Sequence, residues 1–255
     1  MSPPAAATTA QVGPRVATIP VLRDNYVFVV HDGQEAVVID PAVTGPVIRW
    51  LDAHRLELVA VLHTHHHTDH IGGTQGLLRR WPHAAVVAAR DDRARIPLQT
   101  VGVADGDRFS VLGRQVEVLA VPGHTRCHIA FHLEGPHGTA GDLFCGDTLF
   151  AGGCGRLFEG TPEQMHASLQ RLAALPGDTR VWCAHEYTTQ NLRWAHAVAP
   201  EDGAIRRRLE EVLATRAEGR PTIPSSIGLE RATNLFLRAP DADSFARLRR
   251  SRDGW

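Results

Sequence analysis

Residues 58–73 read LVAVLHTHHHTDHIGG, and the fold turns on how this stretch is read. Leu58 to Leu62 is an apolar run of buried-strand length, and it stops at a loop crowded with imidazoles. In an extended segment alternate side chains share a face, so His65 and His67 can reach one metal ion. Asp69 and His70, on the following turn, can face a second. Imidazoles and a carboxylate packed this densely would be costly to bury without a cation, so the cluster predicts metal binding. His63 and His66 are expected to point away from that face. Gly72 and Gly73 then let the backbone turn tightly into a helix over 71–81.

Two half-sites of this kind are incomplete, because a catalytic zinc-like ion takes at least three protein ligands plus a water. Three further donors close other strand-like runs: His124 in VPGHT, Asp147 in FCGDTLF and His185 in VWCAHEY. Of these only Asp147 has two oxygens with which to bridge two cations. The expected sets are His65, His67, His124 and Asp147 for one metal, and Asp69, His70, His185 and Asp147 for the other, with a shared water. Asp40, at the end of AVVID, is expected to orient a ligand imidazole by accepting its hydrogen bond, the alternative being that it only starts an Asp-Pro turn. His31, His54, His83, His132, His137, His166 and His196 are read as surface or core residues.

Working outward, short β-branched runs from Arg15 to His31 and Ala36 to Asp40 read as strands, with a short helix at Pro46 to His54 and a strand at Ala84 to Ala88. Strand signals crowd between Asp105 and Phe150. Beyond Thr161 the texture turns helical, opened by a Thr cap, a Pro and a Glu. Helical stretches follow around Ala204 to Glu218 and Ala242 to Arg250. The domains expected are a tail over 1–14 without structure, a catalytic unit over 15–187 and a helical unit over 188–255.

The 255 residues carry 27 basic and 28 acidic groups, a net charge of −1, which argues against nucleic acid or an anionic membrane as partner. All the basic residues are Arg. Four cysteines form no CxxC pair and no signal peptide is evident, so the chain is expected to be cytoplasmic with reduced thiols. No apolar run approaches about 18 residues.

The HxHxDH cluster with distal His, Asp and His in order resembles the metallo-β-lactamase superfamily. DNYVFVV, GCGRLFEGTPEQM, CAHEYTTQNLRWA, TIPSSIGLERATNLFLR and the terminal RRSRDGW narrow the resemblance to its hydroxyacylglutathione hydrolase (glyoxalase II) family, from about Val16 to Trp255. The resemblance implies an α+β fold, a four-layer αββα sandwich with two divalent metal ions at its rim and a helical C-terminal domain. A mixed His and carboxylate set accepts zinc, iron or manganese, and zinc is the ion expected. The resemblance implies binding of a glutathione thioester through Arg156, Leu157, Phe158, Tyr187, Arg249 and Arg252; a monomer is the default expectation. Where many relatives carry Lys and Tyr, this chain has Arg156 and Phe158, so a cation is kept and a phenol is lost. Cys127 stands where Gly is usual.

The implied reaction is hydrolysis of S-D-lactoylglutathione to glutathione and D-lactate, the second step of methylglyoxal detoxification. A metal-bridged hydroxide would attack, with Asp69 and Asp147 as the catalytic carboxylates. The alternatives are a persulfide dioxygenase or a lactonase of the same superfamily; the terminal arginines argue against the first. A β-lactamase commonly has a Cys or another non-bridging ligand in place of Asp147. A metal-binding scaffold without activity is the reading from outside the enzymes.

Overall fold

The computed structural model describes residues 15–135 and 139–255; the tail over 1–14 and His137 lie outside them. The first half runs β1 (Arg15–Val21), β2 (Asn25–His31), β3 (Glu35–Ile39), α1 (Gly45–His54), β4 (Glu57–Leu62), α2 (Thr68–Ile71), α3 (Thr74–Arg80), β5 (Ala85–Ala89) and β6 (Val101–Val103). The meander follows as β7 (Arg108–Val111), β8 (Arg114–Ala120), β9 (Ile129–Leu133), β10 (Asp142–Gly146), β11 (Leu149–Phe150) and β12 (Gly153–Cys154). The rest is α4 (Pro162–Ala173), β13 (Arg180–Cys183), α5 (Thr188–Val198), α6 (Gly203–Ala217), β14 (Ser225–Ser226), α7 (Ile227–Thr233) and α8 (Ala242–Asp253).

Two six-stranded sheets result, ordered β1-β2-β3-β4-β5-β6 and β14-β13-β10-β9-β8-β7, with β11-β12 as a separate hairpin. The first is antiparallel up to β3 and parallel beyond, because β3, β4 and β5 are joined by crossovers that carry helices. Side-chain alternation then decides the layers. On β2, Tyr26, Phe28 and Val30 join the core shared with Phe131 and Phe144 of the second sheet, whereas Val27 and Val29 pack with Val47 and Leu51 of α1 and Leu77 of α3. Helix α4 buries Met165, Leu169 and Leu172 against the second sheet. The architecture is the four-layer αββα sandwich.

The helix expected over 71–81 is broken into α2 and α3, and Gly72 and Gly73 serve a different purpose from the one expected. Both have right-handed backbone angles that any residue adopts. What excludes a side chain is close backbone, chiefly the 41–43 segment: a Cβ on Gly72 would lie 2.7 Å from the Thr68 carbonyl oxygen and 2.8 Å from that of Ala42, and one on Gly73 2.6 Å from the Val43 carbonyl carbon. That approach brings the end of β3, and with it Asp40, against the His-rich loop. The C-terminal region is not helical throughout, since β14 pairs with β13 as an edge strand.

Candidate metal centre

Of the seven donors named from the sequence, His65, His67, His124, Asp147 and His185 stand just beyond the ends of β4, β8, β10 and β13, and Asp69 and His70 lie in α2, which follows β4, on one rim of the sandwich. His65, His67 and His124 form one group and Asp69, His70 and His185 another, each with ligand atoms within 4.8 Å of one another. In the first group His67 Nδ1 lies 3.1 Å from both His65 Nε2 and His124 Nε2. Asp147 stands between the groups. Its Oδ2 is 3.5 Å from His124 Nε2, and its Oδ1 is 3.4 Å from both His70 Nε2 and His185 Nε2.

The outward ring nitrogens are held by acceptors, which turns the inward ones into lone-pair donors. His70 Nδ1 lies 3.0 Å from Asp40 Oδ2, His185 Nδ1 2.9 Å from Asp24 Oδ1, and His124 Nδ1 2.9 Å from the Arg156 carbonyl oxygen. The Thr64 hydroxyl donates to Asp40 Oδ2 at 2.6 Å and so accepts from His65 Nδ1 at 3.0 Å. Asp40 therefore touches both groups, directly through His70 and by way of Thr64 through His65. A third possible donor group, Asp40, His65 and His70, competes poorly, because Thr64 and His70 already occupy both Asp40 oxygens. Asp40 adopts φ +49°, in the left-handed region, which its short polar side chain tolerates.

Burial pushes the His65 and His124 imidazoles below their ordinary range, and lowers His67 too, so all three stay neutral near pH 7, the form that ligates metal. Burial opposes charge on His70 as well, but the Asp147 and Asp40 carboxylates outweigh it and hold His70 well above its usual range. Despite its own burial, Asp147 is held well below the carboxylate range by His70 and His185. Burial opposes charge on His185 too, but Asp147 again outweighs it, so both imidazoles on this side are raised by the same carboxylate. Asp147 Oδ1 and His70 Nε2 are buried without a hydrogen-bond partner, and both point at the centre of the cluster. Buried orphan atoms are costly, and a divalent cation on each side of Asp147 removes the cost. The donor set fits two such ions.

Several residues of this centre escaped the sequence reading. Asp24 and Asn25, in DNYVFVV, reach across from the first sheet; Thr64 sits inside the cluster itself. His128 in GHTRCHIAF stacks on His65 at 4.6 Å and accepts from the Asp147 backbone N–H at 3.2 Å. Burial lowers its pKa to about 3, so it remains the neutral acceptor that this contact needs. Its signal was present: a second His four residues after His124 on a strand-like run. His66 and His63 join no donor group; His66 lies 3.3 Å from Asp92 and His63 bonds Thr74.

A cleft of about 1070 Å³ opens over the donors. Arg156, Phe158, Tyr187, Arg249 and Arg252 line it, and Leu157 does not, its side chain packing against the core instead. Phe158 is 63% exposed at the mouth. Tyr187 stacks on His185 at 4.9 Å, and burial pushes its phenol up to about 12, so it stays a hydrogen-bond donor. The terminal arginines are not simply solvated. Arg249 is 6% exposed, donates to the Cys154 carbonyl at 2.8 Å and pairs with Asp253, while Arg252 faces Asn191.

Residues 20–185 match the family model described as the metallo-beta-lactamase superfamily, and 186–255 the one described as hydroxyacylglutathione hydrolase C-terminus. The chain is 58% identical over 243 residues to a hydroxyacylglutathione hydrolase of Synechococcus sp. (strain WH7803), covering 94% of this chain and 95% of that one. It is 55% identical over 252 residues to one of Prochlorococcus marinus (strain MIT 9303), covering 98% and 97%. Among solved structures it is similar to ETHE1 from Myxococcus xanthus, with TM-score 0.69, 27% identity and coverage of 93% of this chain and 89% of that one. TTHA1623 in a di-iron-bound form aligns with TM-score 0.60 at 26% identity, covering 88% and 100%.

Proposed function

The chain belongs to the metallo-β-lactamase superfamily and, within it, to the hydroxyacylglutathione hydrolases, and from that premise we propose that it hydrolyses S-D-lactoylglutathione and related 2-hydroxyacylglutathione thioesters. The observation that carries the reading is Asp147, whose two oxygens face separate donor groups at 3.4 and 3.5 Å beneath an arginine-rimmed cleft. His65, His67, His124 and Asp147 would hold one ion; Asp69, His70, His185 and Asp147 the other. We take the ions to be zinc, with iron or manganese as alternatives, since a mixed His and carboxylate set accepts each. Two such cations supply an ionised water near neutrality and a Lewis acid for the thioester carbonyl.

The chain's own residues do the rest. Asp69, partly open to the cleft, can hold a hydrogen bond from the attacking water as well as serve as ligand. Asp40 and Asp24 keep three imidazoles oriented. Arg252 and Arg156 face the carboxylates of glutathione, Tyr187 offers its hydroxyl, and Phe158 offers apolar surface. The leaving thiolate has an ordinary pKa of about 8.5, so no general acid has to be supplied. We assign catalysis to 15–187, with thioester binding shared between Arg156, Phe158 and Tyr187 of that unit and the helical unit over 188–255, and read the protein as a cytoplasmic monomer; its four cysteines are all unpaired. No helix among the described residues is long and apolar enough to cross a membrane.

The test is S-D-lactoylglutathione hydrolysis by metal-analysed protein, followed by release of free thiol. The expected result is about two divalent ions per chain and activity that disappears on chelation and returns with metal. Full activity after exhaustive chelation would sink the proposal, as would bound metal with no thioester hydrolysis.

A further inference from the structure

The first residue of β2 carries a polar side chain that neither the donor groups nor the arginines absorb. Asn25 is 6% exposed and lines the cleft where Asp69 and His185 meet. Main-chain contacts set its place: Asn25 bridges to His185, the Tyr26 N–H donates to the Ala184 carbonyl at 2.7 Å, and the Glu186 N–H donates to the Asp24 carbonyl at 2.9 Å. The amide's orientation follows from its neighbours. Nδ2 lies 3.1 Å from Asp69 Oδ2 and 3.3 Å from the Asp69 carbonyl oxygen, two acceptors that only the donor end satisfies. The oxygen Oδ1 therefore faces away from Asp69, and it makes no hydrogen bond among the described residues. It is not among the partnerless polar atoms sealed from solvent, so its lone pairs are open to the cleft.

We propose that Asn25 Oδ1 accepts a hydrogen bond from the 2-hydroxyl of the acyl group, making Asn25 the residue that selects 2-hydroxyacyl thioesters over unsubstituted ones. The assignment rests on the function proposed above. A thioester carbonyl held over Asp147 carries its 2-hydroxyl on the next carbon, and Asn25 stands at the edge of the same donor group, with Nδ2 3.5 Å from His185 Nε2. In so enclosed a place a hydroxyl meets little competition from water. An acyl chain without one leaves Oδ1 covered and unpaired, which is the asymmetry from which polar specificity arises.

S-D-lactoylglutathione and S-propionylglutathione differ only by that hydroxyl and form the matched pair for the test. After correction for their rates of hydrolysis in free solution, wild-type kcat/KM is expected to favour the lactoyl thioester by about tenfold to a hundredfold. Asn25→Ala also loosens Asp69, so both substrates slow, yet the ratio falls to within about threefold of unity. Asn25→Asp keeps an oxygen acceptor but loses the donor to Asp69; both substrates slow and the ratio stays near that of the wild type. Because each ratio is taken on a single preparation, it does not depend on the fraction folded or loaded with metal. A wild-type ratio near one overturns the assignment, as does an Asn25→Ala ratio unchanged from wild type or an Asn25→Asp ratio near one. Metal-loaded wild type that hydrolyses neither thioester overturns the proposed function, and the assignment with it.

Discussion

Asp40 shows what a single carboxylate does in this protein. Its two oxygens collect the Thr64 N–H, the Thr64 hydroxyl and the His70 ring, so that one side chain aligns an imidazole in each donor group. Arg249 and Arg252 divide in the same chemical terms. The first spends its guanidinium inside the protein, on Cys154 and Asp253, and lies over the Phe236 ring at 5.1 Å. Among the described residues the second has only 3.4 Å contacts to Asn191 and a cation–π contact with Trp255, and pairs with no carboxylate, so its charge faces the cleft. Arg252→Ala is expected to raise KM for S-D-lactoylglutathione by roughly tenfold with little change in kcat, the signature of lost uniform binding. Steady-state kinetics showing a collapsed kcat at unchanged KM would refute the assignment.

At the scale of the element, the helices of the C-terminal region are held at their ends. Asp202 caps α6 by accepting from the Ala204 and Ile205 N–H groups at 3.0 and 3.1 Å, and it pairs with Arg238 at 2.6 Å. Arg238, followed by those backbone donors, holds its carboxyl below the usual range. Because the folded value is the lower one, the unfolded chain binds more protons between the two, and stability rises with pH through that window. The contribution is complete above the unfolded value of about 3.9 and lost as pH falls through the folded one. Asn caps nearly as well as Asp but carries no charge. The urea midpoints of wild type and Asp202→Asn should therefore separate above about pH 4 and converge below it; parallel profiles across this range would show that the Arg238 pair contributes nothing.

Across the whole molecule, the helical region is tied to the catalytic rim by a buried polar network. Glu230 of α7 pairs with Arg208 of α6 and accepts from the Gly152 N–H at 2.8 Å, and Asn234 donates to the Phe150 and Gly153 carbonyls. Gly152 lies in the β11–β12 hairpin that follows Asp147, so α7 braces the segment beside the metal donors. Arg208 is 4% exposed and Glu230 0%. Glu230→Ala would strand a buried guanidinium and is expected to cost about 3–5 kcal/mol in urea unfolding, with earlier loss of activity on heating. A cost under about 1 kcal/mol would mean that water replaces the carboxylate and that the Glu230 contacts do not hold the two regions together.

The sequence by itself determined the donor cluster and the layered fold. Seven donors end or follow strand-like runs, and a spacing as dense as His65, His67, Asp69 and His70 is local, so neighbouring residues carry the whole signal. Hydrophobic alternation likewise marked most strands, because a period of two needs no partner to be seen. Tertiary structure alone decided the contacts between segments distant in the chain. That Asp24 and Asn25 meet His185, that His128 props Asp147, that Gly72 and Gly73 yield to the 41–43 segment, and that Arg249 turns inward while Arg252 does not, all depend on residues far apart in the chain. No periodicity records such pairs, since their proximity is created only when distant strands pair and the layers pack together.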